Sequence, residues 1–160
     1  MNTAKRMLML LLAGIATTLI GCKSDAGDWV EINGHRFEVE LAITSNEQFL
    51  GMGGRTEAPQ GTGMLFIFPR EAPREFVMRG CVIPLDIAFM DNNGKIVRTH
   101  TMKVEADQRN LPRYPSGRPA SLVLEVAAGE FERLGIQTGQ TMTLSPSVQQ
   151  SVEEVRRTRR

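Results

Sequence analysis

Short strand-like runs separated by tight-turn residues are the feature that most limits the fold of this chain of 160 residues. Residues 30–32 and 37–41 alternate apolar and polar side chains, and Asn33-Gly34 lies between them. Asn and Gly both tolerate the positive φ angles of a type I′ turn. The pattern therefore predicts a β-hairpin at the start of the folded domain.

Later segments repeat this pattern of brief strands. The apolar run 64–68 ends at Pro69 and is too short for a typical helix, so it predicts a buried strand. Further strands are predicted at 76–78, 85–90, 95–102, 121–126 and 141–144. Short helices are predicted after the capping box that starts at Thr44 and before Gly135. The fold class is mostly β (α+β), a compact β-barrel-like or folded antiparallel sheet with two short helices.

The N-terminus has the pattern of a bacterial lipoprotein signal peptide. Lys5 and Arg6 precede an apolar run over 7–20, which is shorter than the roughly 20 residues of a membrane-spanning helix. Leu19-Ile20-Gly21-Cys22 follows, and Leu19 is too bulky for an ordinary secretory cleavage site. We expect acyl chains such as palmitate on Cys22 and a lipid-anchored protein on the exported face of the cell membrane or outer membrane, which is the periplasmic side in a Gram-negative cell. A secreted protein is the alternative.

This processing divides the chain into four parts. Residues 1–21 form the signal peptide, 22–28 a tether, 29–145 a β-rich domain, and 146–160 a polar and basic tail that we expect to be a frayed helix or disordered. Removing 1–21 changes the formal charge from +1 to −1, which gives no electrostatic reason to expect nucleic-acid binding. The arginines at the end of the tail are either solvated or in contact with anionic headgroups.

Sulfur-containing residues offer little basis for a disulfide or a metal site. With Cys22 reserved for lipid, Cys81 has no partner, and its apolar neighbours favour burial over reactivity. His100 and Met102 lie two apart on a predicted strand and could suit copper(I), but methionines inside apolar strands more often fill a core. We predict no metal and no cofactor.

Asp86 is the carboxylate that most suggests a site, because apolar residues flank it on both sides. A charge in such a run needs a partner to offset desolvation. Arg55 and Arg79 are candidate partners, since guanidinium groups pair well with buried carboxylates. These three residues are either a ligand pocket or a structural ion pair that fixes the register of the strands.

Three blocks of the sequence resemble the family called domain of unknown function 192. They are the segment 63–68, the segment 76–91 followed by Gly94 and Ile96, and the segment 114–139. The resemblance covers about 29–144 and implies a compact, mostly β domain without an established activity. The chain departs from the family at Val77, where a Trp is usual, and at Gly80, where an Asn is usual.

The function classes are narrowed by these motifs. No nucleophile elbow or phosphate-binding loop is present, and Asp86 with Glu125 is the one carboxylate pair suited to glycan hydrolysis. We therefore favour a membrane-tethered, non-catalytic binding or scaffolding domain. Its partners would be the membrane, through Cys22, and an unknown small molecule or envelope polymer. A hydrolase acting on an envelope polymer is the alternative.

Overall fold

The computed structural model describes residues 27–158, so the predicted signal peptide, Cys22 and the last two arginines lie outside it. Nine strands and three helices occur within these residues. They are β1 (Trp29–Ile32), β2 (His35–Ala42), α1 (Ser45–Leu50), β3 (Thr62–Ala72), β4 (Glu75–Phe76), β5 (Leu85–Met90), β6 (Ile96–Met102), β7 (Tyr114–Pro115), β8 (Ala120–Ala127), α2 (Glu130–Arg133), β9 (Met142–Leu144) and α3 (Pro146–Arg157).

Seven of the strands form one curled, half-barrel sheet in the order β6-β5-β8-β3-β2-β1-β9. A bridge between Lys95 and Thr141 brings the two ends of the sheet together. β4 and β7 form a separate two-stranded ribbon. The mostly β fold is thus confirmed. The sheet departs from a purely antiparallel pattern in one pair, because β2 and β3 run parallel and the connection through α1 crosses over between them.

The predicted hairpin is confirmed between β1 and β2. Asn33 and Gly34 adopt φ angles of 53° and 75°, which is the left-handed conformation that a type I′ turn requires at both positions. Ile32 pairs directly with His35 across this turn. The hairpin sets the register that places Glu38 and Glu40 on one side of β2, and Phe37, Val39 and Leu41 on the opposite side.

The sheet has two covered faces, which we name the core face and the cavity face. The core face carries Leu65 and Leu124, and its apolar cluster includes residues from all seven strands, from α2 and from α3. The cavity face carries Phe66 and Val123 and is covered by α1 and the β4–β7 ribbon. β8 lies in the middle of the sheet and is buried on both faces, so a polar group on it has little access to solvent.

Residues 146–157 of the predicted tail form one ordered helix, α3, where the sequence suggested a frayed helix or disorder. The hydroxyl of Ser145 accepts a hydrogen bond from the Val148 amide and caps the helix, and Pro146 occupies its first turn. Val148 and Val152, one turn apart, are buried in the core-face cluster, and α3 packs against β3. Val155 is partly buried and packs against the same cluster, so α3 docks through a stripe of three valines.

Across residues 27–158, none of the helices combines the length and the apolar character that crossing a membrane would require.

Candidate functional site

Asp86 is a structural acceptor on the core face of β5. Its Oδ1 accepts a hydrogen bond from the Thr101 hydroxyl at 2.7 Å, and its Oδ2 accepts from the amides of Gly129 and Phe131 at 2.9 and 3.0 Å. The carboxylate therefore joins β5 to β6 and fixes the beginning of α2. Only 1% of its surface is exposed, so these hydrogen bonds offset its desolvation.

The structure corrects the predicted pairing of Asp86 with an arginine. Arg55 instead pairs with Glu40 through two hydrogen bonds of 2.6 and 2.7 Å, and this contact lowers the pKa of Glu40. The guanidinium of Arg79 lies over the ring of Phe49, 4.4 Å from its centroid. The three predicted pocket residues thus have separate surroundings, and of the three only Arg79 lines the large cavity described next.

A cavity of about 710 Å³ opens on the cavity face, between the sheet, α1 and the segments 73–81 and 108–113. Its floor is buried and is formed by Met52, Phe66, Cys81 and Glu125. Its rim is exposed and includes Phe49, Leu50, Arg79, Arg109 and Arg113. A deep floor with an open rim is the usual form of a small-molecule site.

One wall of this cavity is aromatic. Phe76 meets Phe66 edge to face with centroids 5.0 Å apart, and it meets Phe68 in the same way at 6.5 Å. The guanidinium of Arg74 covers the ring of Phe68 at 3.9 Å. Edge-to-face packing fixes these rings relative to one another, so they offer a preformed apolar surface.

Helix α1 forms the opposite side of the rim. Its capping box is confirmed: Thr44 Oγ1 accepts from the Glu47 amide at 3.2 Å, and Glu47 Oε2 accepts from the Thr44 amide at 2.8 Å. This short helix leaves Phe49 and Leu50 60% and 57% exposed at the mouth of the cavity. The capping box fixes where α1 begins and so helps to position these two apolar side chains.

The lining is rich in positive charge. Four arginines contribute to it, whereas its acidic members are Glu75 and Glu125. Glu75 pairs with Arg113 at 2.7 Å in an exposed ion pair. Arg79 makes no ion pair with an acidic side chain within residues 27–158, so its charge is available to a ligand.

Glu125 is the residue that sequence reasoning missed as part of a pocket. It lies on β8 opposite Met64 of β3 and Ile87 of β5, and only 5% of its surface is exposed. Burial raises the pKa of its carboxyl group to about 8, although the backbone amide of Met52 acts in the opposite direction. The carboxyl is therefore mainly protonated at neutral pH and can donate a hydrogen bond.

Gly51 gives the cavity floor its shape. Its φ of 50° is in the left-handed region that favours glycine. A Cβ at this position would lie 3.3 Å from the ring of Phe66 and 3.7 Å from Oε2 of Glu125. A glycine here thus keeps the space above the carboxyl group open.

Cys81 is buried, as predicted, with 7% of its surface exposed. Burial, followed by the nearby Glu125, raises the pKa of its thiol to about 11. Since the thiolate is the nucleophilic form, this cysteine is an unreactive part of the cavity floor at neutral pH.

The proposed carboxylate pair for glycan hydrolysis is not assembled. Asp86 pairs with Val126 and Ile87 pairs with Glu125 in the β5–β8 register. Because neighbouring residues of a strand point to opposite faces, the Asp86 side chain lies on the core face and that of Glu125 on the cavity face. The two carboxyl groups cannot flank one bond of a substrate.

His100 and Met102 share one face of β6, as their spacing indicated. The ring of His100 packs edge to face against Phe89 and Tyr114, and its Nε2 lies 2.8 Å from the carbonyl oxygen of Pro115. Met102 is fully buried in the cavity-face cluster. In the part of the chain that the structure describes, no three His, Cys, Asp or Glu side chains are grouped so that they could hold a metal ion.

A family model described as uncharacterized ACR, domain of unknown function 192, matches residues 29–144. The chain belongs to this family. Membership confirms the resemblance seen in the three sequence blocks, and the family's description assigns no activity. No curated protein gives a significant match.

Two solved structures share the fold of this family member. A protein from Sinorhizobium meliloti 1021, provisionally assigned as a transcription regulator, is 29% identical with a TM-score of 0.67, and the alignment covers 73% of this chain and 92% of that one. A protein of unknown function from Novosphingobium aromaticivorans DSM 12444 is 34% identical with a TM-score of 0.64, and the alignment covers 72% of this chain and 83% of that one.

Asp86→Asn tests the structural role of this carboxylate. We expect the variant to lower the free energy of unfolding by about 2 kcal/mol, because an amide nitrogen would replace an acceptor of backbone hydrogen bonds. Urea unfolding followed by circular dichroism measures the change, with the exposed Asp28→Asn as the matched control. Equal stability of the two variants would contradict this role.

Proposed function

We propose that this domain binds a small anionic organic molecule with an aromatic or other apolar body, and that it does so while tethered to an envelope membrane. The single observation that carries the binding proposal is the cavity over Glu125, with its aromatic wall and arginine-rich lining. Its volume of about 710 Å³ lies within the range of small-ligand sites, which is roughly 300–1,000 Å³.

The arrangement of charge supports an anionic ligand. Arg79 stands at the rim, already stacked on Phe49, and a planar guanidinium can bind a carboxylate, sulfonate or phosphate through two hydrogen bonds. The pairs of Arg113 with Glu75 and of Arg109 with Asp107 are both exposed, so they stabilise the protein little. A ligand anion can therefore replace their acidic partners at small cost.

Binding explains this lining better than hydrolysis does. Acid–base cleavage of a glycan needs two carboxyl groups facing the same bond. Glu75, the other carboxylate in the lining, is held by Arg113 at the exposed rim, whereas Glu125 lies at the floor. The favoured class is thus a binding domain.

The proposal of a lipid tether rests on the N-terminal sequence. Lipid on Cys22 would be separated from the first residue of β1 by residues 23–28, which span at most about 20 Å when fully extended. Such a short link would keep the cavity close to the membrane surface and limit its ligands to molecules present there.

Narrowing the cavity tests the binding proposal. Val77 lines the cavity and is half-buried, so Val77→Trp places a large ring inside it. We expect the variant to weaken binding of the anionic aromatic probe 8-anilinonaphthalene-1-sulfonate by about tenfold. The probe is titrated onto the mature chain carrying Cys22→Ser, and its fluorescence is measured. This substitution removes the lipid site and leaves residues 27–158 unchanged.

The matched control is Gln150→Trp, which adds the same ring to an exposed position of α3 outside the cavity. It should bind the probe as tightly as the parent chain. Circular dichroism confirms that both variants are folded. Equal probe affinity in Val77→Trp and Gln150→Trp, or no binding to the parent chain, would contradict the proposal.

Cys22→Ala tests the tether in cells. We expect the unmodified protein in the membrane fraction and the variant outside it, because one substitution removes both acyl chains and the processing site. Cell fractionation with immunoblotting, combined with metabolic labelling by palmitate, makes the measurement. A variant that still fractionated with membranes, or a parent chain without label, would refute lipid anchoring.

A further inference from the structure

We propose that Glu125 is the residue that recognises the ligand: its protonated carboxyl group donates a hydrogen bond to an oxygen of the bound anion. This inference rests on the proposed function and goes further in two ways. It assigns the group that determines specificity, and it requires that this carboxyl group be protonated for the ligand to bind. All candidate ligands carry an anionic oxygen, which a carboxylate, a sulfonate or a phosphate can supply.

The position of Glu125 supports this role. Its carboxyl group lies at the buried floor of the cavity, and Gly51 leaves the space beside Oε2 open. Met52 lines the same floor, and its backbone amide lowers the pKa of this carboxyl group less than burial raises it. A ligand oxygen that reaches the floor would therefore meet the carboxyl proton between the aromatic wall and the backbone of residues 51–52.

The protonated form is favoured by burial, which raises the pKa of Glu125 to about 8. Arg55 lowers that pKa less than burial raises it, and its guanidinium is paired with Glu40 through two hydrogen bonds. A neutral carboxyl is also the form compatible with an anion, since an ionised one would repel it in a site of low dielectric constant.

Other titratable and charged groups face the carboxyl group from each surrounding element. Arg55 belongs to the segment after α1, and its partner Glu40 lies on β2 in the same cross-strand row as Glu125. His100 ends this row on β6, beyond Ile87. Cys81 is part of the floor, with a thiol pKa of about 11.

This assignment predicts a specific pH dependence. If only the protonated form binds, the apparent Kd is the intrinsic Kd divided by the protonated fraction. With a pKa of about 8, the protonated fraction falls steeply above that pH. We therefore expect the affinity for the anion to be constant below about pH 7 and to weaken roughly 30-fold between about pH 6.5 and pH 9.5.

The experiment titrates 8-anilinonaphthalene-1-sulfonate onto the mature Cys22→Ser chain across this range. The sulfonate stays ionised throughout, so a pH dependence must come from the protein. Glu125→Gln keeps a hydrogen-bond donor that does not titrate, and we expect it to bind the probe with an affinity that is independent of pH. Glu125→Met has a similar length without a donor, and we expect weak binding at every pH.

A matched control, Glu153→Gln, makes the same change at an exposed position of α3 outside the cavity, and it should keep the pH profile of the parent chain. Circular dichroism at both ends of the range verifies folding. Equal pH profiles for the parent chain and Glu125→Gln would overturn this inference while leaving the proposed function intact. Absence of probe binding at about pH 6.5 in both proteins would instead refute the proposed function itself.

Discussion

Burial of β8 on both faces of the sheet is the constraint on which the rest of the structure depends. The strand lies inside the seven-stranded sheet, between β5 and β3, with α2 and α3 beyond one face and α1 and the β4–β7 ribbon beyond the other. A carboxyl group on it, such as that of Glu125, loses its hydration when the domain folds. Protonation lowers this cost, and the cavity above leaves the proton accessible to a ligand.

The local elements of the fold are readable from the sequence, whereas their long-range pairing is not. Asn33-Gly34 and the capping box at Thr44 act through nearby backbone atoms, so composition and spacing were sufficient. The parallel pairing of β2 with β3 depends on contacts with distant strands, which no local pattern shows. The burial of Val148 and Val152 likewise depends on the surface that α3 meets.

The candidate site is likewise predictable from the sequence only where local features determine it. Asp86 attracts notice because apolar residues flank it, and the structure confirms that it is buried, but its partners are backbone amides that the sequence cannot locate. Glu125 is also flanked by apolar residues, but the sequence does not show whether one or both faces of its strand are covered. Only the coverage of both faces of β8 reveals that this carboxyl group is buried.

Direct titration of the Glu125 carboxyl group is the most decisive test, because a neutral acid at the floor of the cavity is the central claim. Carbon-13 NMR of protein labelled at the glutamate side-chain carboxyls, with Glu125→Gln to assign the resonance, follows its ionisation. We expect the Glu125 carboxyl group to ionise with a midpoint at about pH 8. A midpoint at the ordinary glutamate value of 4.5 would contradict it, because the cavity floor would then carry a negative charge at neutral pH.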